Sequence, residues 1–221
     1  MKKITLLFLL VSAWGIGRAQ EAFSIGTDLS VLRSVNKGQG FTAVGQTVQA
    51  NFHLSPKESV YAWLCYYSEG KYNNTLAARA RFDTIAPQSI NYTVNSKLRY
   101  RQVSLGWKHY FKGSYKSEGT WNLYGLAGFG LMLGKTFNTP DQKIDTANYS
   151  VPERPREGVT TVKRLTFDLG LGAEAELGSG IYLYGEAKTW IRASSYPNPY
   201  LYDNATPRVV ILSGGLRILI D

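Results

Sequence analysis

Strict two-residue alternation limits this chain more than any other feature. Over residues 165–177, Leu165, Phe167, Leu169, Leu171, Ala173, Ala175 and Leu177 share one side, while Thr166, Asp168, Gly170, Gly172, Glu174 and Glu176 share the other. Residues 181–191 repeat the pattern, with Ile181, Leu183, Gly185, Ala187, Thr189 and Ile191 opposite Tyr182, Tyr184, Glu186, Lys188 and Trp190. A period of two is the signature of a β-strand with one apolar and one polar face. Between the runs sits Gly178-Ser179-Gly180, a hairpin turn that pairs Leu177 with Ile181 and puts both apolar faces on one side. That register sets Gly172 opposite Glu186 and Gly170 opposite Lys188, so long polar side chains face gaps, as in a narrow interior filled by side chains.

The same reading predicts strands over 22–33, 42–54, 58–68, 97–111, 121–134 and 209–220, eight in all. The connections alternate in length. Segments 54–57, 112–120 and 178–180 are short; 69–96, 135–161 and 193–208 are long, and 34–41 is intermediate. An up-and-down barrel that crosses an outer membrane with both termini in the periplasm has this rhythm, with short periplasmic turns and long external loops. The apolar rows 101–111, 165–177 and 210–220 are close to the roughly 9–11 residues a tilted membrane strand needs. Trp107, Phe111 and Trp121 fall toward the inferred periplasmic ends, where an aromatic girdle would stand.

The N-terminus supports export. Lys2 and Lys3 precede the apolar stretch 4–11, and Gly17-Arg18-Ala19 precedes Gln20. This pattern predicts a cleaved signal peptide at 1–19 and one barrel domain at 20–221. Removing Lys2, Lys3 and Arg18 lowers the formal charge from +9 to +6. The single cysteine, Cys65, excludes an intrachain disulfide framework.

The last residues, Ser213-Gly214-Gly215-Leu216-Arg217-Ile218-Leu219-Ile220, complete a resemblance to the small outer-membrane β-barrel proteins, the group that includes the OmpA transmembrane domain and OmpX. They are similar to the terminal targeting signal of such barrels, although Ile220 stands where the family has an aromatic residue and Asp221 extends past it. The resemblance implies an all-β, eight-stranded antiparallel transmembrane barrel in the outer membrane. It also implies outer-membrane lipid as surroundings and the barrel assembly machinery as a partner in biogenesis. A soluble, lipocalin-like periplasmic barrel binding an apolar ligand would show the same alternation with its apolar face inside, and is the first alternative.

If the apolar face meets lipid, then Asp28, Lys108, Asp168, Glu174, Glu186, Lys188 and Arg217 point into the bore. Charges kept from lipid have to be paired, so Glu174, Lys108 and Arg217, at similar depth, are expected to form a structural salt-bridge network that fills the lumen. Lys97, Arg99 and Arg101 extend the outward row of Val103, Leu105 and Trp107. With Arg79 and Arg81 they are candidate contacts for the phosphates of lipopolysaccharide. The second alternative, an outer-membrane lipid-modifying enzyme, lacks a general base in the right place. His53 and His109 both fall near periplasmic strand ends, whereas enzymes on such barrels work at the external end. No metal, cofactor or nucleic-acid motif is present. Loops 135–161 and 193–207, rich in Pro, Tyr and Asn, are the expected partner-binding surface, the partner itself being unspecified.

Overall fold

The computed structural model describes residues 22–36, 38–116, 120–193, 198–202 and 208–220. The expected signal peptide, the Gln20 cleavage point and parts of the 193–207 loop lie outside these residues. Ten strands form one antiparallel sheet: β1 (Ala22–Ser34), β2 (Thr42–Ser55), β3 (Glu58–Tyr67), β4 (Gly70–Ala80), β5 (Ser89–Lys112), β6 (Trp121–Pro140), β7 (Tyr149–Ser150), β8 (Gly158–Gly178), β9 (Ile181–Arg192) and β10 (Val209–Ile220). The expectation of eight strands is therefore corrected. The segments read as long loops, 69–96 and 135–161, carry β4, β7 and the far ends of β5, β6 and β8.

Besides β4, eight of the described strands are hydrogen-bonded on both sides. β1 pairs with β2 and β10, β2 with β3, β3 with β5, β5 with β6, β6 with β8, β8 with β9, and β9 with β10. β4 pairs along the far half of β5, and β7 adds a short pairing at Arg79 and Ala80. Between β8 and β9, Gly172 faces Glu186 and Gly170 faces Lys188. At the turn itself the pairing differs from the sequence reading: Gly178, not Leu177, lies opposite Ile181, and Leu177 is the extra residue of a bulge. Ser179 and Gly180 have φ of 53° and 74°, the left-handed conformation that a two-residue hairpin turn needs at both central positions.

Nearest Ala22, Ile220 and the short turns, a region we call the turn end, the exposed row is the apolar one and the buried row is polar. Leu29, Leu105, Leu171 and Leu212 are all at least 60% exposed, while Asp28, Ser104, Gln49, Asn51 and Arg217 are nearly inaccessible. The gaps left by inward glycines are occupied. A Cβ on Gly172 would strike the Tyr124 ring, and one on Gly170 would press on Lys188 Cγ at 2.8 Å.

Toward the opposite, loop end the polarity inverts. On β5 the outward row changes from Phe111, Trp107, Leu105 and Val103 to Arg101, Arg99, Lys97 and Asn95. At the same level the inward row changes from Lys108, Ser104 and Gln102 to Tyr100, Leu98, Val94 and Tyr92. An apolar core closes the interior here, built from Leu32, Phe41, Trp63, Tyr67, Tyr100, Trp190 and neighbours. A smaller core of Leu76, Ala78, Tyr92, Val94 and Tyr149 holds the projecting β4–β5 hairpin. From Phe111 to Arg101, ten residues of a strand tilted by roughly 40° rise about 25 Å, the height of a membrane barrel's apolar band. The hydrophobic effect accounts for both halves. Where the outer face meets water, burial of apolar side chains inside drives packing; where the outer face is itself apolar, the interior takes the polar groups.

Candidate functional site

Seven of the interior charges form two networks and one separate carboxylate. At the turn end, Glu174 from β8 accepts from Arg217 of β10 at 2.6 and 3.1 Å, from Lys108 of β5 at 3.2 Å, and from the Tyr110 hydroxyl at 3.0 Å. The Arg217 guanidinium also donates to the Tyr115 carbonyl and lies 3.9 Å over the Tyr182 ring. In the middle, Lys188 donates to Glu186 at 2.7 Å and stands 3.7 Å from Asp28. Tyr184 donates to Asp28, and Tyr124 donates to Glu186 while its ring face lies 3.5 Å from the Lys108 ammonium. The first cluster has one cation in excess and the second one carboxylate in excess, with Tyr124 touching both. Asp168 stands apart, accepting from Gln102 at 2.7 Å, from Thr166 at 3.0 Å and from Ser104 in a short bond. The seven residues expected from the sequence to line a bore are all buried, Glu174, Lys108 and Arg217 in one network, Asp28, Glu186 and Lys188 in another.

On the outer surface the structure gathers a second set of charges at the level where polarity inverts. Lys97, Arg99 and Arg101 point outward from β5. Lys71 of β4 lies directly opposite Lys97, and Lys135 of β6 directly opposite Arg99. Lys163 of β8 faces Leu133, which in turn faces Arg101. Like charges directly opposite one another in a sheet are destabilising. Only part of the charge is met: Glu69 bonds Arg99 at 2.6 Å, and the Tyr66 ring lies under Arg99 and Arg101 at 6.0 and 5.3 Å. A pocket of about 280 Å³ opens between Arg99, Arg101, Leu133, Gly134, Lys135 and Thr161.

Arg79 and Arg81 are not brought into this set. Arg79 pairs with Ser89 and Ser150 near the tip of the hairpin, about 26 Å along the strand from Lys71, and Arg81 donates to the Thr146 carbonyl. Lys71, Lys135 and Lys163 escaped the sequence reading because each lies in a segment taken for loop or at a strand end. Their alternation with Tyr72, Thr136 and Val162 was the available signal.

The histidines lie at the turn end. His53 Nε2 bonds Ser24 at 2.9 Å, its Nδ1 bonds Ser59 at 2.7 Å, and its ring stacks on Tyr115 at 4.2 Å. This Ser–His pair was not foreseen. Its third member is a hydroxyl rather than a carboxylate, and Ser24, His53 and Ser59 are all buried, so nothing orients an imidazolium and no substrate reaches it. His109 bonds Glu58 at 2.5 Å, and Trp107 donates to the same carboxylate. No three His, Cys, Asp or Glu among the described residues are placed to hold a metal ion.

The chain is similar to Ail, the attachment invasion locus protein of Yersinia pestis, with a TM-score of 0.50 and 12% identity over 91% of this chain and 100% of that one. It is similar to Neisserial surface protein A with a TM-score of 0.52 and 10% identity, over 90% and 99% of the two chains. The fold is like that of the small outer-membrane β-barrels. At such identities the likeness carries the fold alone, and it does not single out OmpA or OmpX. No family model matches the sequence, and no curated protein does.

Proposed function

We propose that this chain, after loss of residues 1–19, is an integral outer-membrane protein. In this reading β1, β2, β3, β5, β6, β8, β9 and β10 close into a transmembrane barrel with its termini and short turns in the periplasm. The assembly machinery inserts it from that side. The lumen is filled by side chains, and the role is structural or interactive, exercised by the external β4–β5–β7 projection and the loops around it. Lys97, Arg99 and Arg101 touch lipopolysaccharide phosphates where the barrel leaves the outer leaflet.

The observation that carries this reading is the inversion of polarity along single strands. A soluble barrel has no reason to expose Leu105 and Leu171 toward one end of β5 and β8 while burying Leu98, Val94 and Val162 toward the other. An aqueous medium above and a hydrocarbon medium below account for both at once. A lipocalin-like calyx would need the apolar row inside at every level, and Lys108, Glu174 and Arg217 occupy that space instead.

Spin labels test the placement directly. Labels at Leu169 and Leu183 should be accessible to lipid-soluble oxygen, and a label at Asn95 to a water-soluble relaxant. Leu169 and Leu183 labels shielded from the lipid-soluble reagent would remove the membrane reading. In cells, the chain should fractionate with outer membranes and migrate differently in detergent gels before and after boiling.

A further inference from the structure

The cations at the inversion level do more than extend one strand, and the geometry points to a built site for a single phosphorylated, multi-acyl lipid. This inference rests on the membrane reading above and narrows it to one place on the wall, the outward face of β4, β5, β6 and β8. Four adjacent strands at about 4.8 Å spacing give a strip about 14 Å wide, enough for more than one phosphate. Two direct cross-strand pairs of like charge, Lys71 with Lys97 and Arg99 with Lys135, leave that strip short of anions. Glu69 bonds Arg99, and the remaining cations have no carboxylate bonded to them among the described residues. The pocket between Arg99, Arg101, Lys135 and Thr161 gives one phosphate a concave seat with guanidinium, ammonium and hydroxyl donors around it.

What lies beneath the cations decides between a lipid and a free phosphate. Directly below, on the same outward face, Val103, Leu131, Leu165 and Phe129 are all more than 40% exposed, and Phe129 packs edge-on against Phe167 at 4.9 Å. A free anion gains nothing from that apolar slope. An amphiphile with phosphates above and several acyl chains below covers both surfaces, with its headgroup at the level of Lys135 and Lys163. The occupant is therefore a phosphorylated glycolipid of the outer leaflet. Its phosphates are neutralised here by side chains, so that this one lipid is held without a bridging divalent cation.

The test uses the full mature chain refolded into phosphatidylcholine nanodiscs, with diphosphoryl lipid A as the probe and retention read by native mass spectrometry. Wild type should retain lipid A in preference to phosphatidylcholine, should keep it in excess EDTA, and should release it progressively as sodium chloride is raised. Lys135→Gln with Lys163→Gln, and separately Arg99→Gln with Arg101→Gln, should each lower retention about tenfold or more, as expected for loss of charge-assisted bonds. Arg79→Gln with Arg81→Gln, at the hairpin tip, should leave it unchanged.

Equal retention by the Lys135/Lys163 variant would overturn the site, as would stripping of wild type by EDTA. Displacement of lipid A by inorganic pyrophosphate at the same concentration would overturn the choice of a lipid. Both variants should still show heat-dependent gel migration, which keeps a folding defect distinct from a binding defect. Failure of the membrane reading registers separately, as a wild-type chain that dissolves without detergent and never enters the nanodisc.

Discussion

Replacing Glu174 by Gln removes one negative charge from the turn-end cluster and leaves its shape almost unchanged. Glu174 is 2% exposed and, among the described residues, is the only carboxylate within bonding distance of Arg217 and Lys108, at 2.6 and 3.2 Å. Gln keeps one oxygen as an acceptor but turns an N–H pair toward a guanidinium that cannot accept. Two buried cations are then left without a bonded counter-charge, a change that costs about 3–5 kcal/mol when one partner of a buried pair is removed. For a small domain this is a large share of the total stability.

The assay is urea unfolding of the refolded protein in lipid vesicles, followed by tryptophan emission and by the loss of heat-dependent gel migration. Adding Lys108→Met to Glu174→Gln removes one of the stranded cations, so the double variant should recover at least about 1 kcal/mol relative to the single one. A cost below about 1 kcal/mol for Glu174→Gln, with no recovery in the double variant, would refute the reasoning. It would mean that water in the bore solvates Arg217 and Lys108, and that the interior is not filled.

Planar bilayers containing the wild-type chain should show no conductance on the scale of a large porin, because Tyr124, Lys188, Trp63 and Trp190 occupy successive levels of the interior; a steady porin-sized current would contradict this. Gly172→Val should cost about 1–3 kcal/mol through collision with the Tyr124 ring, whereas Gly185→Val, which meets no atom nearer than the Ser213 carbonyl at 3.7 Å, should stay within about 0.5 kcal/mol; matched vesicle unfolding curves compare the two. Phe41→Ala should cost about 3–5 kcal/mol by emptying the loop-end core, where Phe41 lies 6.0 Å from Tyr72 and 5.9 Å from Tyr100 between ring centroids. The proteolysis pattern should show where the loss falls, with cleavage between 70 and 96 increasing while heat-dependent migration persists.

The alternation of Leu165 through Leu177 with Thr166 through Glu176 was enough to place the turn-end part of β8, and with the Gly178-Ser179-Gly180 turn it set the β8–β9 register at Gly172 and Gly170. Side-chain direction in a strand has period two whatever surrounds it, so such faces and registers can be read without coordinates. The same period placed the seven luminal charges on one face. Alternation cannot say which medium each face meets. Leu76, Tyr92 and Val94 lie among Asn, Thr and Lys, and the segment reads as a loop until their burial in a core above the inversion level makes β4 and the far half of β5 a continuation of the wall.

The cationic strip depended still more on the tertiary structure. Lys97, Arg99 and Arg101 are spaced along one strand and visible as a row. Their neighbours Lys71, Lys135 and Lys163 are 26, 36 and 62 positions away from Lys97, Arg99 and Arg101 respectively in the chain. Only the hydrogen-bonded register across β4, β5, β6 and β8 brings them to one face. Local pattern determines direction, because it follows from the geometry of a single strand; cross-strand register determines company, because it is set by how every strand in the sheet pairs with the next.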